Sequence, residues 1–192
     1  MLKKVPFQSK HIILLGLPAS GKSTLGELLA SAFKMNFIDT DSYLSEKAVE
    51  VLGEEMNVFS FNRLIHHYYQ NLPSLLKEIE IPSVIATGAE AVSALEQGNH
   101  FNELGCVIYL KRAHDKLLLS LEERNYPTFI ETDNEGNQLE YYGIKNLLND
   151  YQPFIPYIEE EANIIVDNNR PIPEVFKDIV EQLVVDCKAD LL

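Results

Sequence analysis

At 192 residues, with 46% hydrophobic and 23% charged side chains, the chain has the length of one globular domain with a sizeable core. Its formal net charge of −13 argues against a nucleic-acid or anionic-membrane partner, because such partners need clustered Lys and Arg. No run approaches the roughly 18 apolar residues of a membrane span, and the start Met1-Leu2-Lys3-Lys4 lacks the apolar stretch of a signal peptide, so the expected location is the cytoplasm.

The first apolar run, His11–Leu15, reads as a strand and leads into Gly16-Leu17-Pro18-Ala19-Ser20-Gly21-Lys22-Ser23-Thr24, a complete phosphate-binding loop. An amphipathic helix over Ser23–Lys34 follows, which is the strand–loop–helix context the motif needs. Glycines let the backbone curl so that successive N–H groups face phosphate oxygens at the positive end of the helix. The expected ATP site is therefore Gly16, Ala19, Ser20, Gly21, Lys22, Ser23 and Thr24. Lys22 is expected to reach the β- and γ-phosphates, and the Ser23 hydroxyl to ligate Mg²⁺.

The second strand, Asn36–Ile38, runs into Asp39-Thr40-Asp41 and a helix over about Ser42–Val51. These residues can serve as a helix cap. Beside a phosphate loop, one carboxylate can also hold the water shell of Mg²⁺ while the other orients or deprotonates an acceptor hydroxyl. That expectation places Ser23 and Asp39 at the metal and makes Lys22 and Asp41 catalytic.

A helical pattern covers Val58–Glu80 with a break at Pro73. Within it, His66-His67-Tyr68-Tyr69 does not form a chelating face, since adjacent helix residues point about 100° apart. One histidine is expected inward and the other outward. Further strands are expected over Ser83–Thr87, Cys106–Leu110 and Asn163–Val166, and further helices over Ala113–Arg124, Tyr141–Glu161 and Pro173–Lys188. The polar segment Glu131–Gln138 reads as a loop positioned to act as a lid, and Glu159-Glu160-Glu161 as a solvated helix end. Cys106 and Cys187 sit in no metal or redox spacing and read as buried thiols.

Strands apolar on both faces, alternating with helices, predict a three-layer α/β sandwich around a parallel sheet. Ligands in such sheets bind beyond the carboxyl ends of the strands, where the phosphate loop, Asp39–Asp41 and Thr87-Gly88 would converge. No linker or repeat divides the chain, so residues 1–192 are expected to form one domain.

The loop and its helix, then Phe37-Ile38-Asp39-Thr40-Asp41, then Val84-Ile85-Ala86-Thr87-Gly88, together resemble the shikimate kinase family in order and spacing. The resemblance implies a P-loop kinase with a five-stranded parallel sheet in the order 2-3-1-4-5. It also implies a substrate-binding helical region near residues 42–80 and a lid near 125–140. By the same resemblance, Asp39 supports Mg²⁺ through water and Asp41 contacts the acceptor hydroxyl. Arg124 is a candidate for stacking on adenine, or alternatively a helix-end cation facing the macrodipole.

The departures from the family pattern fall on the acceptor side. Where the family has Phe-Arg, Phe61 is followed by Asn62, with Arg63 displaced by one. The lid arginine is replaced by Tyr126, a later arginine by Tyr151, and the Gly-Gly-Gly run by Gly88-Ala89-Glu90. Tyr and Asn offer neutral hydrogen bonds where a bidentate Arg–carboxylate contact is strong, and Glu90 repels an acid. Arg63 or Arg124 taking over a lost role is the milder alternative.

The expected acceptor set is Asp41, Asn62, Arg63, Gly88, Ala89, Glu90, Tyr126 and Tyr151. The expected function is transfer of the γ-phosphate of ATP to a small hydroxyl-bearing metabolite, with shikimate itself in doubt. One alternative is a nucleotide-binding pseudo-kinase or regulatory protein on the same fold. Another is a nucleoside monophosphate kinase, which four arginines serve poorly. A monomer with no nucleic-acid or membrane partner is expected.

Overall fold

β1 (His11–Leu15) is buried at all five positions, as a strand between two covered faces must be. In the computed structural model, which describes residues 11–53, 58–124, 129–132, 138–142 and 144–186, it is the centre of the main sheet. After it come α1 (Lys22–Phe33), β2 (Asn36–Asp39), α2 (Thr40–Leu52), α3 (Val58–Gln70) and α4 (Leu72–Leu76). The middle of the chain gives β3 (Ser83–Ala86), a 3₁₀ turn over Ala89–Ala91, α5 (Val92–Glu96), β4 (Gly105–Lys111) and α6 (His114–Glu123). Then follow β5 (Phe129–Thr132), β6 (Gln138–Tyr142), α7 (Ile144–Tyr151), α8 (Ile155–Glu161), β7 (Ile164–Asp167) and α9 (Ile172–Asp186).

Five strands form one parallel sheet in the order β2-β3-β1-β4-β7. This is the expected 2-3-1-4-5 order, with a hairpin inserted before the last strand. Along β1 the side chains alternate between the two layers. Ile12 and Leu14 pack with Leu25, Leu29, Val175 and Ile179 of α1 and α9. Ile13 and Leu15 pack with Leu44, Tyr69, Leu72 and Phe101 on the opposite face. Cys106 is buried in the first of these layers; Cys187 lies outside the described residues.

Three expectations are corrected. The segments expected as a lid loop and a helix start at Tyr141 instead contribute β5 and β6, an antiparallel pair with Ile130 opposite Tyr141. The helix expected over Tyr141–Glu161 therefore begins at Ile144 and is split by a 3₁₀ turn, Gln152–Phe154, where Pro153 and Pro156 deny the backbone its donors. Glu161 is not a solvated helix end: it is 4% exposed, and its Oε1 accepts from the Asn102 backbone N–H at 2.6 Å. Its Oε2 lies 2.9 Å from His100 Nδ1. Glu159 does remain near the surface, paired with Lys111 at 2.8 Å.

No helix among the described residues is long and apolar enough to cross a membrane.

Candidate active site

The phosphate loop spans β1 and α1, at the carboxyl end of the sheet. Gly21 precedes the helix in the left-handed region at φ 89°, where a side chain would be strained and would crowd Asn168 Nδ2. Lys22 is buried, and its Nζ donates to the Gly16 and Leu17 carbonyls at 2.8 and 3.0 Å. Burial lowers its pKa to about 8, against the pull of Asp41 and Asp39, which favour the charged form.

Two clasps from distant strand ends hold the loop. Arg112, just past β4, donates from Nη1 to the Ala19 carbonyl at 2.8 Å. Asn168, just past β7, donates its amide to the Ser20 carbonyl. Neither contact has a local sequence signal, because the partners lie 93 and 148 residues apart.

Asp39 serves as cap and as loop partner at once. Its Oδ1 accepts from the backbone N–H groups of Asp41 and Ser42 at 3.1 and 3.4 Å, capping α2. Its Oδ2 accepts from the Ser23 hydroxyl at 2.9 Å. A hydroxyl and a carboxylate so joined are hard oxygen donors of the kind Mg²⁺ takes when phosphates supply other ligands. Among the described residues no group of three His, Cys, Asp or Glu could hold a metal by itself.

Behind Asp39, the ends of β1, β2 and β3 are stitched together. Thr40, fully buried, accepts from the Gly88 N–H at 2.7 Å, and Thr87 Oγ1 donates to the Leu14 carbonyl at 3.0 Å. The Tyr69 hydroxyl donates to Asp41 Oδ1. A Cβ on Gly88 would collide with both Asp41 Oδ1 and the Tyr69 hydroxyl, so this position needs the bare backbone. Burial, then the bond to Asp41, raises the Tyr69 pKa well above its ordinary value, which keeps the phenol a donor.

Lys22, Ser23, Asp39, Asp41, Tyr69, Thr87 and Gly88 line a cavity of about 350 Å³. Of the residues expected from sequence, Ala19, Ser20, Gly21, Lys22, Ser23, Thr24, Asp39, Asp41, Gly88, Ala89, Glu90, Arg124 and Tyr151 lie in its wall. Gly16 is not in the wall but supplies the carbonyl that holds Lys22.

Asn62 and Arg63 are exposed on α3 and outside the wall. The helix instead turns Phe61, Ile65 and Tyr69 inward, a spacing of four that keeps one face. His66 and His67 are both exposed, contrary to the inward–outward expectation. Tyr126 lies outside the described residues, as do 125–128 and 133–137 of the expected lid. Ser45 and Leu147 also reach the wall, with no sequence signal beyond their helical positions.

Comparison with known proteins gives consistent results. The family model described as shikimate kinase matches residues 18–184. A shikimate kinase of Alkaliphilus oremlandii is 30% identical over 177 residues, covering 89% of this chain and 97% of that protein. Among solved structures, a shikimate kinase from Aquifex aeolicus superposes with a TM-score of 0.61 at 23% identity, covering 90% of this chain and 95% of that one. A gluconokinase from Sinorhizobium meliloti shares the fold with a TM-score of 0.56 at 16% identity, covering 96% of each chain.

Proposed function

The chain belongs to the shikimate kinase family, a family of kinases, and from that premise we propose that it transfers the γ-phosphate of ATP to a hydroxyl of a small molecule other than shikimate. The observation that carries the second half of this reading is the placement of the arginines. There are four in the chain, and only Arg124 lies in the cavity wall. Arg63 is exposed outside it, Arg112 is committed to the Ala19 carbonyl, and Arg170 pairs with Asp178. The acceptor end of the wall carries Asp41, Glu90 and Tyr151. A carboxylic acid placed there meets two carboxylates and forgoes the bidentate guanidinium contacts that bind acids strongly. The gluconokinase neighbour illustrates that the fold is not tied to one acceptor.

In this reading the loop amides and Lys22 bind the triphosphate and stabilise charge as the phosphoryl group moves. Ser23 and Asp39 would hold Mg²⁺ when the nucleotide is bound, and the ion would supply neutralisation of the phosphate charge. Asp41, oriented by the Tyr69 hydroxyl, takes the acceptor proton as the oxygen attacks. Arg124, exposed at the end of α6 and in the wall, is offered to the adenine face. Residues of about 125–140 serve as the lid and those of about 42–80 as the acceptor-binding region of a single domain. ATP, Mg²⁺ and a small hydroxyl compound are its partners.

The test is steady-state ADP release with shikimate as acceptor. The expected result is a rate within about twofold of the acceptor-free rate at millimolar shikimate, since losing such charge pairs costs about 2–5 kcal/mol each. Saturable phosphorylation of shikimate with a Michaelis constant below about 1 mM, the ordinary range for enzymes, would end this part of the reading.

A further inference from the structure

The charge pattern of the cavity goes further than excluding acids. Among the described residues its wall holds three carboxylates, Asp39, Asp41 and Glu90, and two basic side chains, Lys22 and Arg124. Three of these five are already engaged. Asp39 is tied to Ser23 and the α2 cap, Asp41 to Tyr69, and Lys22 to the loop that takes the triphosphate.

Glu90 is left to face the acceptor. It stands two residues beyond Gly88, whose backbone lies against Asp41 and Tyr69, so Glu90 and Asp41 are within reach of one small molecule. Glu90 is exposed at the edge of the cavity, and its partial desolvation there raises its pKa; exposed His66 partly offsets this, and Asp41 adds to it. Two carboxylates facing one cavity are stabilised most by a cation placed between them. Phe61, Tyr69 and Tyr151 supply aromatic rings in the same wall, and aromatic faces favour ammonium groups over anions.

We propose that the acceptor is a small amino alcohol, its ammonium group held by Glu90 and its hydroxyl presented to Asp41. This rests on the kinase reading above. In the step, the acceptor oxygen forms a bond to the γ-phosphorus and the bond to the β–γ bridging oxygen breaks, leaving ADP. The hydroxyl proton passes to Asp41. The nitrogen keeps its proton against Glu90, has no free lone pair, and is therefore not the nucleophile. A neutral polyol gains only neutral hydrogen bonds at Glu90, and an acid is repelled.

Two matched series test this by ADP release and product mass: glucosamine, glucose and gluconate, and serinol, glycerol and glycerate. The expected result is that at least one amine is phosphorylated with a kcat/KM roughly 10- to 100-fold above its neutral counterpart, the range for hydrogen bonds to charged groups, with the acid lowest. Glu90→Gln should lower the amine-to-neutral ratio about tenfold or more, and Glu90→Asp should retain most of it. The ratio is taken within each variant, so a smaller folded fraction cancels. Preference for the neutral or acid member, or an unchanged ratio in E90Q, overturns the amino-alcohol proposal and leaves the kinase reading standing. Transfer to none of the six compounds overturns both.

Discussion

Lys22→Ala is expected to lower phosphoryl transfer by on the order of a thousandfold or more, and to weaken ATP binding, while leaving the fold in place. The lysine is the cation aimed at the loop, and its three hydrogen-bond partners, the Gly16 and Leu17 carbonyls and the Ser20 hydroxyl, all belong to that loop. Arg112 and Asn168 hold the loop from outside, so removing the lysine side chain leaves those clasps intact. Removing a buried cation also removes a desolvation cost, so no large loss of stability is expected. Isothermal titration with ATP, turnover and a thermal melt separate the three effects. Turnover near that of the parent protein would refute the role given to Lys22.

The same residue predicts a pH dependence of binding. With its pKa lowered to about 8 in the free protein, Lys22 is mostly charged below pH 8 and mostly neutral above it. Phosphate favours the charged form, so ATP binding above pH 8 must draw in a proton. The dissociation constant for ATP from this group alone should stay level below about pH 8 and rise up to about tenfold per pH unit above it. That rise should disappear in K22A, which isolates it from other titrations.

Asp41→Asn is expected to reduce transfer to the acceptor by about 10²- to 10⁴-fold, the usual worth of a positioned general base, with little change in ATP affinity. The substitution preserves shape, and the amide oxygen can still accept from the Tyr69 hydroxyl that orients the carboxylate. What it loses is basicity toward the acceptor proton. Slow hydrolysis of ATP by water, which needs no acceptor, should fall much less than acceptor transfer. A D41N protein with parental kcat on its best acceptor would contradict the assignment.

The main sheet was legible because its three central strands are apolar on both faces. His11–Leu15, Ser83–Ala86 and Gly105–Leu110 are buried continuously, and runs of that kind have few other homes. The hairpin was not. Phe-Ile-Glu-Thr and Gln-Leu-Glu-Tyr-Tyr mix polar and apolar residues without a long apolar run, and the second abuts a helical pattern that absorbed it. Glu161 departs from the expected solvated end for a related reason. A run of three glutamates looks solvated until a partner 59 residues away, the Asn102 N–H, reaches one of them.

On the acceptor side, the family resemblance placed Asn62 and Arg63 in the site, whereas helix geometry gives the inward face to Phe61, Ile65 and Tyr69. The spacing of four was visible in the sequence. Which of the possible faces it named depended on packing against α2 and α5, which no local pattern encodes.

Phosphorus-31 NMR of the products is the most direct measurement of the central claim, that this site moves the γ-phosphate of ATP to an alcohol. Protein, Mg²⁺, ATP and the amino-alcohol and polyol series are incubated together, and the phosphorus resonances are followed in time. The predicted result is loss of the γ-phosphate signal matched by growth of a phosphomonoester signal on an acceptor, absent in K22A. Formation of ADP and inorganic phosphate alone, with no phosphomonoester for any acceptor, would contradict it.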